Sequence, residues 1–297
     1  MTSRAAAWLM ATRPRTLTAA AAPVIVGTAV AASLGGFRPL PALAALIGAL
    51  LIQIGTNLAN DYYDFVKGAD TAERVGPTRV TQAGLVEPIV VKRAMIGVFA
   101  LATLVGAALV SIGGWPIVVN GLLSIASGVA YTGGPFPLGY NGLGDLFVFV
   151  FFGLVAVAGT TYVQTLLFEP LALAAAVPVG ALATAVIVVN NLRDADTDAR
   201  ANKNTLAVRF GRSFARREYM ALLATAFAAA PAFAWITGSF WHLLPLAALP
   251  LAFPLLRSVF TQVGAPLNAT LGATARLLVV HAALFAAALV LARPPLG

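Results

Sequence analysis

The chain has 297 residues, 60% of them apolar and 10% charged. An ordinary soluble domain is about 45–50% apolar and about 25% charged, so a soluble interior of this size cannot hide so much apolar surface, and the sequence reads as an integral membrane protein. With no cysteine and only His242 and His281, a disulfide framework, a thiolate metal site, a thiol nucleophile, a zinc centre and a Ser-His-Asp triad are all disfavoured.

Nine apolar stretches follow one another, at about 16–36, 40–58, 94–112, 115–131, 146–167, 171–189, 219–237, 241–256 and 276–292. Most are close to the length of about 20 residues that crosses a bilayer. None alternates with period two, and only helices or closed barrels satisfy their backbone in lipid, so helices are expected. Arg4, Arg13 and Arg15 precede the first stretch, which is longer than a signal-peptide apolar core and reads as a retained span. The frequent alanine and glycine suit close packing of helices in lipid.

The net charge of +8 has its explanation in the loops. With the N-terminus inside, 17 of the 19 Lys and Arg fall on inside segments and only Arg38 and Arg293 fall outside. This positive-inside bias predicts an N-in, C-out topology in a bacterial-type inner membrane, with the chemistry on the cytoplasmic face. Nucleic acid is not an expected partner, because no basic run is interleaved with aromatic residues.

Seven of the 11 acidic residues sit in two windows. Asp61, Asp64, Asp70 and Glu73 follow the second stretch, and Asp194, Asp196 and Asp198 follow the sixth. Asn57 and Asp61 recur 133 residues later as Asn190 and Asp194. The expected fold is therefore all-α: one polytopic domain over 1–297, with nine transmembrane helices forming two four-helix repeats plus one helix around a central cavity.

At 100° per residue, Asn57, Asp61 and Asp64 fall within about 60° on a helix, and Asn190, Asp194 and Asp198 within about 80°, whereas Asp196 points elsewhere. Ionisable residues at membrane depth are costly and mark function. Mg²⁺ is held by one or two carboxylates together with phosphates and water. Two facing carboxylate sets, with Lys67, Arg74, Arg79, Arg200, Lys203 and Arg209 nearby, therefore point to a diphosphate clamped by metal. The alternative is a solvated network in which these acids pair with loop Lys and Arg.

Asn60-Asp61-Tyr62-Tyr63-Asp64-Phe65-Val66-Lys67-Gly68-Ala69-Asp70 resembles the first Asp-rich motif of the UbiA superfamily of intramembrane prenyltransferases. Asn190-Asn191-Leu192-Arg193-Asp194-Ala195-Asp196-Thr197-Asp198, with Lys203 and Thr205-Leu206-Ala207-Val208-Arg209-Phe210-Gly211, resembles the second. The stretch from Tyr131-Thr132-Gly133-Gly134-Pro135-Phe136-Pro137-Leu138-Gly139-Tyr140 to Gln164, with Arg79, Gln82, Gly84 and Leu85, is similar to the branch that prenylates 1,4-dihydroxy-2-naphthoate. Two features depart from the wider superfamily: the third acid lies at Asp70, six residues after Asp64, and the usual basic pair after Tyr131 is absent.

The resemblance implies an Mg²⁺-dependent transfer of a prenyl chain from polyprenyl diphosphate to 1,4-dihydroxy-2-naphthoate, with loss of CO₂ and diphosphate, giving demethylmenaquinol for menaquinone. Membrane lipid is the surrounding partner. Asp61, Asp64, Asp194 and Asp198 are the implied metal ligands, with Asn57 and Asn190 as neutral ligands or supports. Lys203, then Arg79, would contact the diphosphate. Asp70 would bind metal or orient the acceptor, and Arg79 or Gln82 would hold the acceptor carboxylate. Tyr131, Tyr62, Phe147 and Phe151 are candidates to shelter an allylic cation. Two rivals remain at this level: another aromatic acceptor, such as 4-hydroxybenzoate or homogentisate, and a transporter.

Overall fold

Lipid offers no partner to a bare amide, and every regular element among the described residues is a helix. The protein is seen in a computed structural model that describes residues 3–70 and 75–292. Glu73, Arg74 and Arg293 lie outside the described residues.

In chain order the elements are α1 (Arg4–Thr12), α2 (Pro14–Ser33), α3 (Pro39–Val66), α4 (Pro88–Gly113), α5 (Trp115–Ala130), α6 (Gly144–Val148), a π-helical stretch (Phe149–Val155) and α7 (Ala156–Thr165). Next come α8 (Pro170–Arg200), α9 (Leu206–Phe210), α10 (Arg212–Thr237), a 3-10 stretch (Phe240–Ala248), α11 (Leu249–Thr261) and α12 (Leu267–Leu291). α6 to α7 form one continuous rod, and so do the 3-10 stretch and α11. Proline begins α2, α3, α4 and α8, where its missing N–H and fixed φ suit a first helical turn.

The membrane-protein expectation is met: eight helices among the described residues are long and apolar enough to cross a bilayer. Helix length alone does not confirm the count of nine, because the remaining apolar helix, α5, is shorter. α5 has 16 residues, about 24 Å at 1.5 Å per residue, short of a hydrocarbon core of about 30 Å. Gly114, at φ 68°, turns the chain directly from α4 into α5, and the Gly133-Gly134-Pro135 segment follows its other end.

Two boundaries differ from the apolar pattern in a way that matters for function. α3 and α8 do not stop where hydropathy falls but run on to Val66 and Arg200, so both Asp motifs ride on helix. α1 has no apolar stretch of its own. Ser3 caps it, accepting from the Ala6 N–H, and Trp8, Met10 and Ala11 pack on Leu58, Ala59 and Val80. Arg13, in the left-handed region at φ 49°, separates it from α2.

The large buried core lies among α2, α7, α8, α10, α11 and α12, and a smaller one joins α1, α3 and α4. Close approach in the large core depends on glycine: a Cβ on Gly153 would stand 2.8 Å from the Cα of Gly180 on α8, backbone against backbone. Gly153→Ala should therefore cost about 1–3 kcal/mol through overpacking. Gly97→Ala, at a position with open space around it, should be neutral or slightly stabilising. Thermal unfolding of the two variants in detergent checks the contrast.

Candidate active site

Five segments meet at one end of the bundle. Lys67 Nζ donates to the carbonyls of Thr132 at 2.7 Å and Gly134 at 3.2 Å. The Asn204 N–H donates to Tyr140 O at 2.9 Å. Asn268 Nδ2 reaches Val75 O at 3.0 Å, and Arg13 Nη2 reaches Asn57 O at 3.3 Å. The loops after α3, α5 and α8, the start of α12 and the α1–α2 junction thus form one floor.

A cavity of about 900 Å³ opens from this floor. Asn57, Asp64, Arg79, Tyr131, Asn190, Asp194 and Lys203 line its polar end. It continues between helices past Ile52, Gly106, Val110 and Ile117, where its wall is apolar. The helices α2, α3, α4, α5, α7, α8 and α12 line it, and α10 and α11 contribute no lining among the described residues. The bulky cluster of Tyr219, Phe227, Phe233 and Phe285 fills the second half instead.

In the first motif, Asp64 is buried between two donors. Tyr140 Oη donates to Oδ1 at 2.8 Å and Arg79 Nη2 to Oδ2 at 3.0 Å. Arg79 Nε also lies 3.3 Å from Asp70 Oδ2, so one guanidinium serves two carboxylates. Asp61 does something different: its oxygens accept the backbone N–H groups of Val80 at 3.2 Å and Thr81 at 3.1 Å. It holds the turn that carries Arg79 and is not on the cavity wall. Asn57 lines the cavity while its amide donates to Thr12 O and Thr16 Oγ1, both at 2.9 Å. Gln82 is half-buried and away from the cavity.

In the second motif, Asp194 is gripped bidentately by its neighbour: Arg193 Nε donates to Oδ1 at 2.8 Å and Nη2 to Oδ2 at 2.6 Å. Arg193 also donates to Asn190 Oδ1 at 2.7 Å and Asn268 Oδ1 at 2.9 Å. Asp198 lies under Lys203, with Nζ 3.6 Å from Oδ1, and its buried Oδ2 has no hydrogen-bond partner. Asp196 is exposed and pairs with Arg212 at 2.7 Å. A solvated surface pair thus describes Asp196 well, but not the buried Asp64 and Asp194.

Sequence reasoning passed over two residues. Arg193 counted there only as loop charge; its signal was its place three residues after Asn190 on a helix that extends beyond the apolar stretch. Tyr140 joins the motifs: its hydroxyl reaches Asp64, and its ring lies 5.2 Å from Lys67 Nζ and 5.6 Å from Lys203 Nζ. Burial, then the charge and hydrogen bond of Asp64, then Asp70 and Asp198 push its phenol up, so it stays a donor. Burial, followed by Asp145, Asp198 and Asp64, raises the Tyr131 phenol in the same way, and burial lowers Lys67 against the opposing pull of Asp64.

Of the aromatic candidates, Tyr131, Phe147 and Phe151 line the cavity. Tyr62 instead packs on Tyr63 with Lys92 above its ring. His242 bonds to Thr237 and His281 packs against Phe227, so both sit in the structural half. Among the described residues no three acidic or histidine side chains form a ready metal cage. Mg²⁺ does not need one where phosphate completes its shell, and the unpartnered Asp198 Oδ2 is an oxygen donor of the right kind.

Residues 20–263 match the model of the UbiA prenyltransferase family. The chain belongs to this family. It is 47% identical over 227 residues to a 1,4-dihydroxy-2-naphthoate octaprenyltransferase of Escherichia coli (strain K12), covering 74% of each chain. It is 41% identical to the enzyme of the same name from Mycobacterium leprae (strain TN), covering 97% of each. Its fold matches a UbiA homologue from Archaeoglobus fulgidus bound to DMAPP and Mg²⁺, with a TM-score of 0.64 at 16% identity over 94% of this chain and 98% of that one.

Removing one side of a buried ion pair costs about 3–5 kcal/mol, because the other charge is left uncompensated. Arg193→Met should therefore lower the melting temperature sharply, and Arg193→Met/Asp194→Leu should recover much of the loss. A thermal shift series on the single and double variants reads this directly.

Proposed function

We propose that this chain transfers a polyprenyl group from polyprenyl diphosphate to 1,4-dihydroxy-2-naphthoate, releasing diphosphate and CO₂ and giving demethylmenaquinol for menaquinone biosynthesis. The observation that carries it is the cavity itself. Its polar end gathers Asp64, Asp194, Arg79, Arg193 and Lys203 at the head of an apolar passage, within a cavity of about 900 Å³. The acceptor assignment is supported by the 1,4-dihydroxy-2-naphthoate octaprenyltransferases at 39–47% identity.

The whole chain, 1–297, acts as one catalytic domain. The diphosphate lies at the polar end, where Lys203 and Arg79 meet its growing negative charge as the allylic C–O bond breaks. Asp64 and Asp194 on the cavity wall, and Asp198 off the wall beneath Lys203, are the carboxylates available to Mg²⁺, and Asn190 supports Asp194 through Arg193. Asp61 acts through the turn that bears Arg79, and Asn57 through its bonds to the α1–α2 junction. Asp70 holds the far side of the Arg79 guanidinium. When bound, Mg²⁺ neutralises the leaving diphosphate and offsets the repulsion among the carboxylates. Phe147, Phe151 and Tyr131 present π faces to the allylic cation and exclude water from it.

The floor of the site faces the cytoplasm, with the N-terminus inside and the C-terminus outside. The 17-to-2 distribution of Lys and Arg between the two ends supports that orientation. Bulk lipid then surrounds the exposed apolar faces.

A product assay with purified protein tests the reading. With polyprenyl diphosphate and Mg²⁺, 1,4-dihydroxy-2-naphthoate should yield a prenylated, decarboxylated naphthoquinol, and 4-hydroxybenzoate should yield nothing; the reverse would overturn the acceptor. Asp198→Asn and Lys203→Met should each lower kcat by about 10²–10³, the scale of losing one transition-state charge contact. Both variants should keep the wild-type melting temperature within a few degrees.

A further inference from the structure

Asp145 belongs to neither Asp motif. It stands in the first turn of α6, buried and off the cavity wall. Its carboxylate faces Asn191 of α8, whose Nδ2 lies 3.3 Å from Oδ1 and 3.5 Å from Oδ2. A carboxylate presents only acceptors, so the amide is held with its NH₂ toward Asp145 and its carbonyl oxygen turned the other way.

That direction matters because Asn191 lines the cavity. The two adjacent asparagines are not equivalent. The carbonyl oxygen of Asn190 is taken by Arg193 at 2.7 Å. The carbonyl oxygen of Asn191 accepts no hydrogen bond from any described residue. Its surroundings suit a flat phenolic ring. Phe147 and Phe151, stacked 5.8 Å apart on the rod that begins beside Asp145, line the same cavity. The Tyr131 hydroxyl abuts Gly144, where a Cβ would lie 2.8 Å from it.

We propose that Asn191 accepts a hydrogen bond from a ring hydroxyl of the aromatic acceptor, and that Asp145 is the positioning residue that fixes the Asn191 amide for that role. The inference rests on the aromatic prenyl transfer described above. As the ring carbon forms its new C–C bond, electron density leaves the hydroxyl oxygen and the O–H becomes more acidic. A fixed amide oxygen stabilises that developing positive charge without removing the proton in advance. A site built this way also selects a free hydroxyl over its ether, because the ether leaves the buried acceptor unpaired.

The experiment compares 1,4-dihydroxy-2-naphthoate with its two mono-O-methyl ethers as acceptors for the full chain in detergent. Wild type should show a KM about tenfold or more higher for one of the ethers. Asn191→Leu should abolish that discrimination while leaving the KM for polyprenyl diphosphate unchanged. Asp145→Asn should raise the acceptor KM with little change in the diphosphate KM. The exchange Asp145→Asn/Asn191→Asp should restore it, since an amide then donates to a carboxylate that still offers an acceptor to the cavity. Discrimination retained in Asn191→Leu, or an exchange variant that melts like wild type yet binds acceptor no better than Asp145→Asn, overturns the proposal. A wild type that prenylates no hydroxynaphthoate overturns the function and this inference together. A wild type that prenylates it, with discrimination intact in Asn191→Leu, overturns the inference alone.

Discussion

Buried carboxylates at one end of a lipid-embedded bundle repel one another and lack water to screen them, and the architecture of the floor follows from their neutralisation. Each Asp motif supplies its own guanidinium. Arg79 joins Asp64 to Asp70, and Arg193 grips Asp194 with two hydrogen bonds. Asp61 is satisfied by backbone N–H groups, which makes the turn at 79–84 an obligatory part of the fold. Asp198 keeps one buried oxygen, Oδ2, without a hydrogen-bond partner. Under the proposed function the same cations would also meet the diphosphate, so stability and substrate recognition would draw on the same side chains.

The second constraint is how closely helices approach. In the second half of the bundle Gly153 meets Gly180 backbone to backbone, and Tyr219 bonds Thr274 inside the core. The first half packs α3 against α4, with α5 beside both, and these helices line one side of the apolar passage. Both halves of the duplicated sequence pattern line the passage, whereas α10 and α11 contribute no lining among the described residues. Tyr140 reconciles the halves, since a residue between the two motifs touches Asp64 of one and Lys203 of the other.

Much of the fold was legible because lipid restricts the choices. Long apolar runs with no water-facing alternation specify helices, and the 133-residue recurrence of Asn and Asp places the motifs at equivalent helix ends. Hydropathy could not reveal that α3 and α8 continue as helix beyond their apolar stretches, because a charged face turned inward is invisible to an average over residues. It also missed α1, a nine-residue helix of mixed polarity. Among the site residues, helical spacing put Asn57, Asp61 and Asp64 on one face. It did not distinguish Asp64, on the cavity, from Asp61, which faces a turn 19 residues further along the chain.

By itself the sequence determined the solvent, the element type, the recurrence of the two acidic motifs and the membership that their residues declare. All of these depend on composition or local periodicity, which tertiary contacts do not alter. The tertiary structure alone decided which carboxylate meets which cation, that Tyr140 spans the two motifs, which helices line the cavity, and that Asp145 sits behind Asn191. The ion pairs join residues one to 16 positions apart, and the contacts that assemble the floor join residues up to 193 apart. Such contacts are set by how helices pack and where glycine lets backbones touch, and no local pattern in the chain records them.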